Sequence, residues 1–355
     1  MPLKLENLQK ALLAVGFFAA TAVFITVPSD ACSRVVYHGK DGLVITGRSM
    51  DWKDKIPASL WILPRSLHYD GGAGPHSVSW TSKYGSVVVT SFGISVVDGM
   101  NERGLTANML WLSSSSYPES KHPKRTLSIA AWAQYFLDNF ATVDEAVKAM
   151  KNQPLQVVTD VIPGTDKYST LHLSISDVTG DSAIFEYIDG KLAIHHNRKY
   201  QVMTNEPAFD QQLAINAYWQ QIGGLTFLPG TSRPADRFAR ASFYIHAIPK
   251  TADPAEGVAE VMSIMRNVSV PIGISILDQP NVSTTRWRTV ADQKNLRYFY
   301  ESVHTPNTFW VDLKKADLKS GAHVLRLPLE SEQIYSGDAL KDFKPSKPFE
   351  FMHVK

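Results

Sequence analysis

Residues 28–34 have the sequence Pro-Ser-Asp-Ala-Cys-Ser-Arg and contain Cys32, the only cysteine of this 355-residue chain. If the chain is cut before Cys32, one residue carries both a thiol and a free α-amine. The amine can then accept the thiol proton, as the N-terminal amine does for a threonine nucleophile. A lone cysteine at an arbitrary position is more often an inert, small apolar residue. The position of Cys32 directly behind a cleavage site favours a nucleophile that attacks amide carbonyls.

Residues 1–31 predict a signal peptide that is removed on export. Lys4 and Lys10 give a positive start, and residues 11–27 are apolar and uncharged. Small residues precede the cut, Ala31 being the last of them. This order of a charged start, an apolar run and small residues is typical of secretory leaders. We expect export to the periplasm of a Gram-negative bacterium, and no membrane span after cleavage.

Two alternatives to cleavage before Cys32 remain open. One is a retained membrane anchor, although the apolar run of residues 11–27 is short for the ~20 residues that span a bilayer. The other is a non-catalytic lipoprotein anchored through Cys32. A lipoprotein signal favours an aliphatic residue three positions before the cysteine, and Ser29 stands there.

Residues 32–355 predict a single catalytic domain. The formal net charge of the whole chain is +2 at pH 7, so the sequence lacks the excess of basic residues that binding to nucleic acid or to an anionic membrane requires. A single cysteine cannot form an internal disulfide, and the stability of the domain must come from packing. We expect a small-molecule substrate and no cofactor.

The order of predicted elements indicates an α+β fold. Strand patterns at residues 34–38 and 43–46 flank the turn sequence Gly-Lys-Asp-Gly and predict a hairpin directly after Cys32. Along the chain, strands are followed by helices, strands, helices and strands. Segregated rather than alternating elements favour antiparallel sheets with helices packed outside.

Further predictions concern individual segments. Residues 127–140 are broadly apolar and predict one buried helix, and Thr142 with Glu145 forms a capping box that opens a second. Residues 98–104 predict a turn between strands. The segment after Leu327 is rich in proline and lysine, and we expect it to wrap the surface.

Arg48 and Asp51 are the first candidates to assist Cys32. They belong to the sequence Gly-Arg-Ser-Met-Asp-Trp at residues 47–52, at the end of the second strand of the hairpin. The hairpin folds this strand back beside Cys32. A guanidinium there favours the thiolate, and a carboxylate can accept a hydrogen bond from the α-amine. The plainer interpretation is a surface ion pair of little energetic value.

Five ordered motifs resemble the choloylglycine hydrolase family, which comprises bile salt hydrolases and penicillin V acylases. The resemblance spans roughly residues 32–302 and rests on Cys32 behind the leader, residues 47–52, Asp-Gly-Met-Asn-Glu-Arg-Gly-Leu at 98–105, Thr-Asn-Glu-Pro at 204–207, and Leu-Pro-Gly at 228–230 followed by Asp-Arg-Phe at 236–238. It implies an N-terminal-nucleophile hydrolase with an αββα sandwich, two antiparallel sheets between helical layers.

The resemblance also implies roles for particular residues. Cys32 matches the nucleophile, and Arg48, Asp51 and Arg237 match residues that tune and hold it. Asn205 matches a side chain of the oxyanion hole. Trp111 aligns with a position that is Asn or Tyr in the family and contributes a backbone amide to that hole. Without the resemblance, Asn205 is an ordinary turn residue and Arg237 an ordinary helix-surface residue.

The family and the leader together favour an exported penicillin V acylase that also accepts N-acyl homoserine lactones, an activity that quenches quorum sensing. A bile salt hydrolase is the alternative, although such enzymes usually lack a leader. The resemblance also implies a homotetramer. Among the aromatic residues near the motifs, we expect Trp111 to line an acyl pocket and most others to be core: Trp52, Trp61, Trp80 and Tyr117. His195 and His196 lack further ligands at metal spacing.

Overall fold

The computed structural model describes residues 32–354, except 119–124, 166, 275–282, 306 and 330–332. The predicted signal peptide, residues 1–31, lies outside the described residues. In the part of the chain that is described, no helix is both long and apolar enough to cross a bilayer.

The described residues form mainly β-strands, with five α-helices among them. The strands are β1 (Ser33–His38), β2 (Val44–Asp51), β3 (Ala58–Leu63), β4 (His68–Asp70), β5 (Ser79–Thr81), β6 (Ser86–Ser91), β7 (Ser95–Asn101), β8 (Thr106–Trp111), β9 (Thr126–Ser128), β10 (Gln156–Val158), β11 (Leu171–Ser176), β12 (Ser182–Ile188), β13 (Lys191–His196), β14 (Val202–Thr204), β15 (Thr285–Asp292), β16 (Arg297–Ser302), β17 (Thr308–Asp312), β18 (Leu325–Pro328), β19 (Gly337–Asp338) and β20 (Lys344–Pro345). The helices are α1 (Trp132–Asn139), α2 (Val143–Met150), α3 (Phe209–Ile222), α4 (Pro234–Ala247) and α5 (Pro254–Asn267).

Two large sheets pack face to face between helices. The first sheet has the order β14-β1-β2-β15-β16-β17-β19, and the second has the order β13-β12-β11-β8-β7-β6-β3-β18-β20. Neighbouring strands are antiparallel in both sheets apart from β17 and β19, which are parallel. Helices α4 and α5 pack on the first sheet, and α1 and α2 on the second. The predicted αββα sandwich is confirmed.

The predicted hairpin after Cys32 is also confirmed, as β1 and β2. Every residue of β2 is buried, because one face of this strand meets α5 and the other faces the second sheet. Gly47 permits this close packing: a Cβ there would lie 2.6 Å from Val261 and 2.8 Å from Met265 of α5. The adjacent Arg48 is thereby held between the two sheets.

The predicted single helix over residues 127–140 is wrong. Residues 126–128 form strand β9, a short 3₁₀ turn follows, and α1 begins only at Trp132. Leu127 pairs with Val157 of β10, and the Ser128 side chain accepts a hydrogen bond from Ala130 N. These bonds satisfy the backbone outside a helix, so the apolar run is divided between two kinds of structure.

The predicted turn at residues 98–104 begins too early. Strand β7 continues through Asn101, and only residues 102–104 turn. The Asn101 side chain accepts hydrogen bonds from Arg103 N and Leu105 N, which closes the turn after the strand. Gly104 has a φ of +77°, a conformation that favours glycine.

The expectation that the chain after Leu327 only wraps the surface is wrong for two phenylalanines. Phe349 stacks against Trp61 with ring centroids 5.1 Å apart, and Phe351 lies 5.4 Å from Tyr69. Both phenylalanines are buried. Their apolar surface is large enough to hold the segment against the second sheet despite its prolines and lysines.

Asp138 on α1 is a buried acid, and it predicts a pH-dependent stability. Its carboxylate accepts hydrogen bonds from Trp80 Nε1 and Gln134 Nε2, each at 2.7 Å, and burial raises its pKa to about 7. The pKa is higher in the folded than in the unfolded state. The stabilisation is therefore complete below the unfolded value of about 4 and is lost as pH rises through 7.

We expect Asp138→Asn to remove most of this pH dependence. Between pH 5 and 9 the wild-type free energy of unfolding should fall by about 3 kcal/mol more than that of the variant. Urea unfolding at several pH values measures the difference. Asp144→Asn, which alters an exposed carboxylate on α2, is the control. Equal slopes for Asp138→Asn and the wild type would contradict the assignment.

Candidate active site

Cys32 lies directly before β1, in the interior of the first sheet. β1 pairs with β2 on one side and with β14 on the other, so that Ser33 stands opposite both Ser49 and Thr204. This register brings the C-terminal ends of β2 and β14 beside Cys32. The thiol is buried, with 3% of the residue exposed, and it forms part of the lining of a pocket.

The guanidinium of Arg48 reaches the sulfur from β2. Its Nη2 lies 3.9 Å from Cys32 Sγ, and its Nε lies 3.8 Å from Oδ2 of Asp98. Asp98 is held in turn by hydrogen bonds from Asn108 Nδ2, at 2.9 Å, and from the Tyr298 hydroxyl. Both members of the ion pair are about 1% exposed, so the positive charge acts on the sulfur with little screening by water. Asp98 belongs to the motif at residues 98–105, but no role was predicted for it.

Arg237 approaches Cys32 from the other side, on helix α4. Its Nη1 donates to Cys32 O at 2.7 Å and also to the Ser33 hydroxyl. Its Nη2 donates to Asn205 Oδ1 at 2.8 Å, and Nη1 lies 3.9 Å from Asp51 Oδ2. The residue is fully buried. Its interpretation as a helix-surface residue is therefore wrong, and the guanidinium fixes the backbone of Cys32.

Asp51 is buried beside Cys32 but does not bond to its nitrogen. Oδ1 accepts a hydrogen bond from the Thr285 hydroxyl, while Oδ2 is buried without a hydrogen-bond partner among the described residues. Burial raises the pKa of this carboxyl to about 6, against the opposing effect of Arg237. The Cys32 N–H donates to Asn205 Oδ1. The hydrogen bond predicted from the free α-amine of Cys32 to Asp51 stays a prediction, because Asn205 accepts only one hydrogen of this nitrogen.

The side-chain amide of Asn205 has a defined orientation. Oδ1 accepts from Cys32 N and Arg237 Nη2, and Nδ2 donates to Trp111 O at 2.8 Å. Trp111 O uses one of the two Nδ2 hydrogens. The other can serve a substrate oxygen next to the sulfur.

The backbone of Trp111 is open to such contacts because strand pairing ends before it. The β7–β8 ladder stops at the pair Asp98–Asn108. On the other edge of β8, Leu112 N bonds to Thr170 O, so the N–H and C=O of Trp111 point away from β11. The C=O meets Asn205, and the N–H lies on the same edge. The side-chain amide of Asn205, which bonds to Cys32 N, and the N–H of Trp111 therefore lie at one edge of β8, and these are the two kinds of donor that an oxyanion hole uses.

The protonation of the thiol depends on opposing effects. Burial raises the pKa of the Cys32 thiol above its usual value, and the carboxylate of Asp51 acts in the same direction. Arg48 and Arg237 act in the opposite direction. Burial is the largest of these effects and favours the protonated thiol, so attack requires a base that accepts its proton.

The pocket beside Cys32 is apolar and rich in aromatic rings. It holds about 680 Å³ of empty space, its open mouth included. Besides Cys32 and Arg48, its lining includes Met50, Trp52, Ile56, Ser91, Phe92, Ile94, Val97, Met109, Trp111, Ile129, Ile162, Pro163, Leu171 and Met352. The rings of Trp52 and Trp111 meet edge to face with centroids 5.7 Å apart. Such a pocket suits an aryl or alkyl group.

The structure divides the aromatic residues largely as expected. Trp111 lines the pocket, whereas Trp61 and Trp80 are core residues and Tyr117 packs on Tyr187. Trp52 is the exception to the sequence-based expectation, because its ring also faces the pocket. The position of Trp52 next to Asp51, at the end of β2, could have indicated that it lines the pocket.

His195 and His196 do not share a site. His195 lies 3.3 Å from both Glu186 and Asp210, whereas His196 contacts Asp181 at 2.7 Å. Among the residues that the structure describes, no group of three or more histidine, cysteine or acidic side chains is arranged to hold a metal ion.

Comparisons with known proteins agree with this geometry. The model of the linear amide C–N hydrolases, choloylglycine hydrolase family, matches residues 32–326. A penicillin V acylase from Pectobacterium atrosepticum is 53% identical, over 91% of this chain and 92% of that protein. The solved structure of a penicillin V acylase from Agrobacterium tumefaciens is 56% identical with a TM-score of 0.86, over 91% of this chain and all of that chain.

A more distant relative is a bile salt hydrolase/transferase from Clostridium perfringens. It is 26% identical over 91% of this chain and 99% of that protein. The match of the family model covers most of the chain and begins at Cys32. The chain therefore belongs to the choloylglycine hydrolase family and is a hydrolase of linear amide C–N bonds.

Proposed function

We propose that the protein is an exported penicillin V acylase whose nucleophile is Cys32, freed as the N-terminal residue by removal of residues 1–31. The proposal rests on the contacts of Cys32. Its sulfur faces Arg48, and its nitrogen bonds to Asn205. The family match that begins at Cys32 supports cleavage at this position.

Asp51 adds support for a free amine at Cys32. Removal of the leader leaves several hydrogens on the Cys32 nitrogen, of which Asn205 Oδ1 accepts one. Asp51 Oδ2 is buried and has no hydrogen-bond partner among the described residues. Because buried polar atoms are rarely left unpaired, this oxygen is an acceptor for a second amine hydrogen. The two acceptors together direct the nitrogen lone pair.

The proposed reaction begins when the Cys32 sulfur attacks the amide carbonyl carbon and the thiol proton passes to the α-amine. The carbonyl oxygen becomes an oxyanion that accepts hydrogen bonds from Asn205 Nδ2 and Trp111 N–H, each worth about 3 kcal/mol in comparable sites. The C–N bond then breaks and the leaving nitrogen takes the proton from the ammonium. Water, losing a proton to the same amine, hydrolyses the thioester and restores the thiol.

The acyl pocket supports a phenoxyacetyl substrate. Trp52 and Trp111 offer two rings close to Cys32, and aliphatic side chains continue the wall. The relatives at 53% and 56% identity are penicillin V acylases, whereas the bile salt hydrolase/transferase is 26% identical. The same apolar walls suit the alkyl chain of an N-acyl homoserine lactone, which we propose as a second substrate.

A panel assay on the mature enzyme tests the substrate. We expect the highest kcat/KM for penicillin V, measurable hydrolysis of a long-chain N-acyl homoserine lactone, and the lowest value for glycocholate. Release of the free amine, measured at matched concentrations, gives the ranking directly. The highest value for glycocholate would instead assign the protein as a bile salt hydrolase.

Export places this enzyme in the periplasm, and we propose that it assembles there as a homotetramer. Large apolar side chains around the end of α3 support an assembly surface. Tyr218 and Phe227 are more than half exposed, and Leu225 is 96% exposed. Such a patch is typical of a protein–protein contact. Sedimentation of the mature enzyme distinguishes a tetramer from a monomer.

A further inference from the structure

The segment of residues 343–354, here called the strap, crosses the second sheet and ends at the acyl pocket. Two phenylalanines anchor it: Phe349 packs on Trp61, and Phe351 packs on both Tyr69 and Trp80. The family match covers residues 32–326, so the strap lies C-terminal to the matched region.

Backbone hydrogen bonds fix the strap next to the pocket wall. Met352 N donates to Ile94 O at 3.0 Å, and the Ser128 hydroxyl donates to Met352 O at 2.9 Å. Val354 N donates to Gly72 O at 2.7 Å. A Cβ at Gly72 would lie 2.9 Å from Met352 O, so this glycine permits the close approach of the strap.

These bonds hold the Met352 side chain as part of the pocket lining, beside Ile94 and Ile129. This end of the pocket is remote from the sulfur. Asp98 lies next to Arg48 on β7, and Ile94 precedes the other end of that strand. Ser95, the first residue of β7, lies up to about 10 Å from Asp98 along the strand, and Ile94 belongs to the turn before it. The distal end of a bound acyl group, and not the acyl carbonyl, therefore contacts Met352.

We propose that Met352 closes the distal end of the acyl pocket and limits the length of the acyl group that the enzyme accepts. The inference rests on the proposed function, because it takes the pocket beside Cys32 as the acyl site. A methionine side chain is unbranched and adaptable, so it forms a wall that fits short acyl groups and lowers, without abolishing, the hydrolysis of longer ones.

Met352→Ala and Met352→Trp test this with N-acyl homoserine lactones that differ only in acyl length. Truncation opens space, and we expect it to raise the ratio of kcat/KM for dodecanoyl over hexanoyl substrates about 10-fold or more, the effect of one or more methylenes in an apolar pocket. Met352→Trp should lower that ratio. His353→Ala is the matched control, since His353 is the next residue of the strap and is exposed. An unchanged ratio in both Met352 variants would overturn the proposal.

A second readout separates this inference from the proposed function. Trp52 and Trp111 line the pocket, so quenching of tryptophan fluorescence reports binding of free hexanoic and dodecanoic acids without turnover. If the wild type fails to hydrolyse penicillin V and acyl lactones but Met352→Ala binds dodecanoic acid more tightly, the proposed substrates are wrong and the role of Met352 stands. If acid binding has the same length dependence in Met352→Ala and the wild type, the role of Met352 is wrong.

Discussion

Cys32→Ala is expected to reduce penicillin V hydrolysis by about 10⁶-fold, the effect of removing the nucleophile in a comparable acyl-transfer site. The physical reason is that no other thiol exists in the chain to form the thioester. Measurement of kcat/KM by release of 6-aminopenicillanic acid gives the loss. Thermal unfolding of the variant shows whether the fold is retained.

Cys32→Ser provides the matched control for this experiment. It keeps the shape and the hydrogen-bonding capacity of residue 32 but offers a weaker nucleophile. We expect activity between that of the wild type and that of Cys32→Ala. A fully folded Cys32→Ala variant with activity well above the buffer background would exclude Cys32 as the nucleophile.

Asn205→Ala is expected to lower kcat by about 10²- to 10³-fold with a small change in KM, because the lost donor serves the oxyanion rather than the bound substrate. Steady-state kinetics with penicillin V separates the two parameters. This expectation rests on the Nδ2 group of Asn205, which donates one hydrogen to Trp111 O and has a second hydrogen to donate.

Asn205→Asp distinguishes the two roles of this side chain. The aspartate keeps an oxygen for Cys32 N and Arg237 but has no Nδ2 hydrogen. If donation to the oxyanion matters most, Asn205→Asp loses about as much kcat as Asn205→Ala. An active Asn205→Asp variant would show instead that the residue acts by holding the Cys32 nitrogen.

The part of the site that lies close in sequence could be predicted from the residues themselves. Arg48 is 16 positions from Cys32, and the turn sequence between them predicts an antiparallel hairpin that places both at one end. Local turn chemistry and strand periodicity are enough for such a pairing. The segregated order of strands and helices likewise indicated antiparallel sheets with helices outside.

The distant partners could not be found in this way. Asn205 is 173 positions from Cys32, and Arg237 is 205 positions away. No local pattern connects such residues, and only the resemblance to a family indicated them. Asp98, which pairs with Arg48 from the opposite sheet, was in a motif but was given no role, and Tyr298, which donates to Asp98 from the far end of the chain, was missed. Their contact depends on how two sheets stack, which periodicity does not encode.

Strand β3 is a similar omission within the fold. Residues 58–63 are apolar except for Ser59 and lie between two prolines. The strand pairs with β6 and with β18, which begins at Leu325. A short apolar run does not distinguish a strand from a buried helix, and its second partner is more than 260 positions away. The strap depends on this same edge of the sheet, which explains why its buried phenylalanines were not anticipated.

In the proposed mechanism, the thiol and the base belong to one residue that is exposed by cleavage. Intact-mass spectrometry of the enzyme purified after expression with its own leader tests this most directly. We expect the mass of residues 32–355 with an unmodified cysteine at the start. A mass that includes any residue ahead of Cys32, or a diacylglyceryl group attached to it, would exclude Cys32 as a free N-terminal nucleophile.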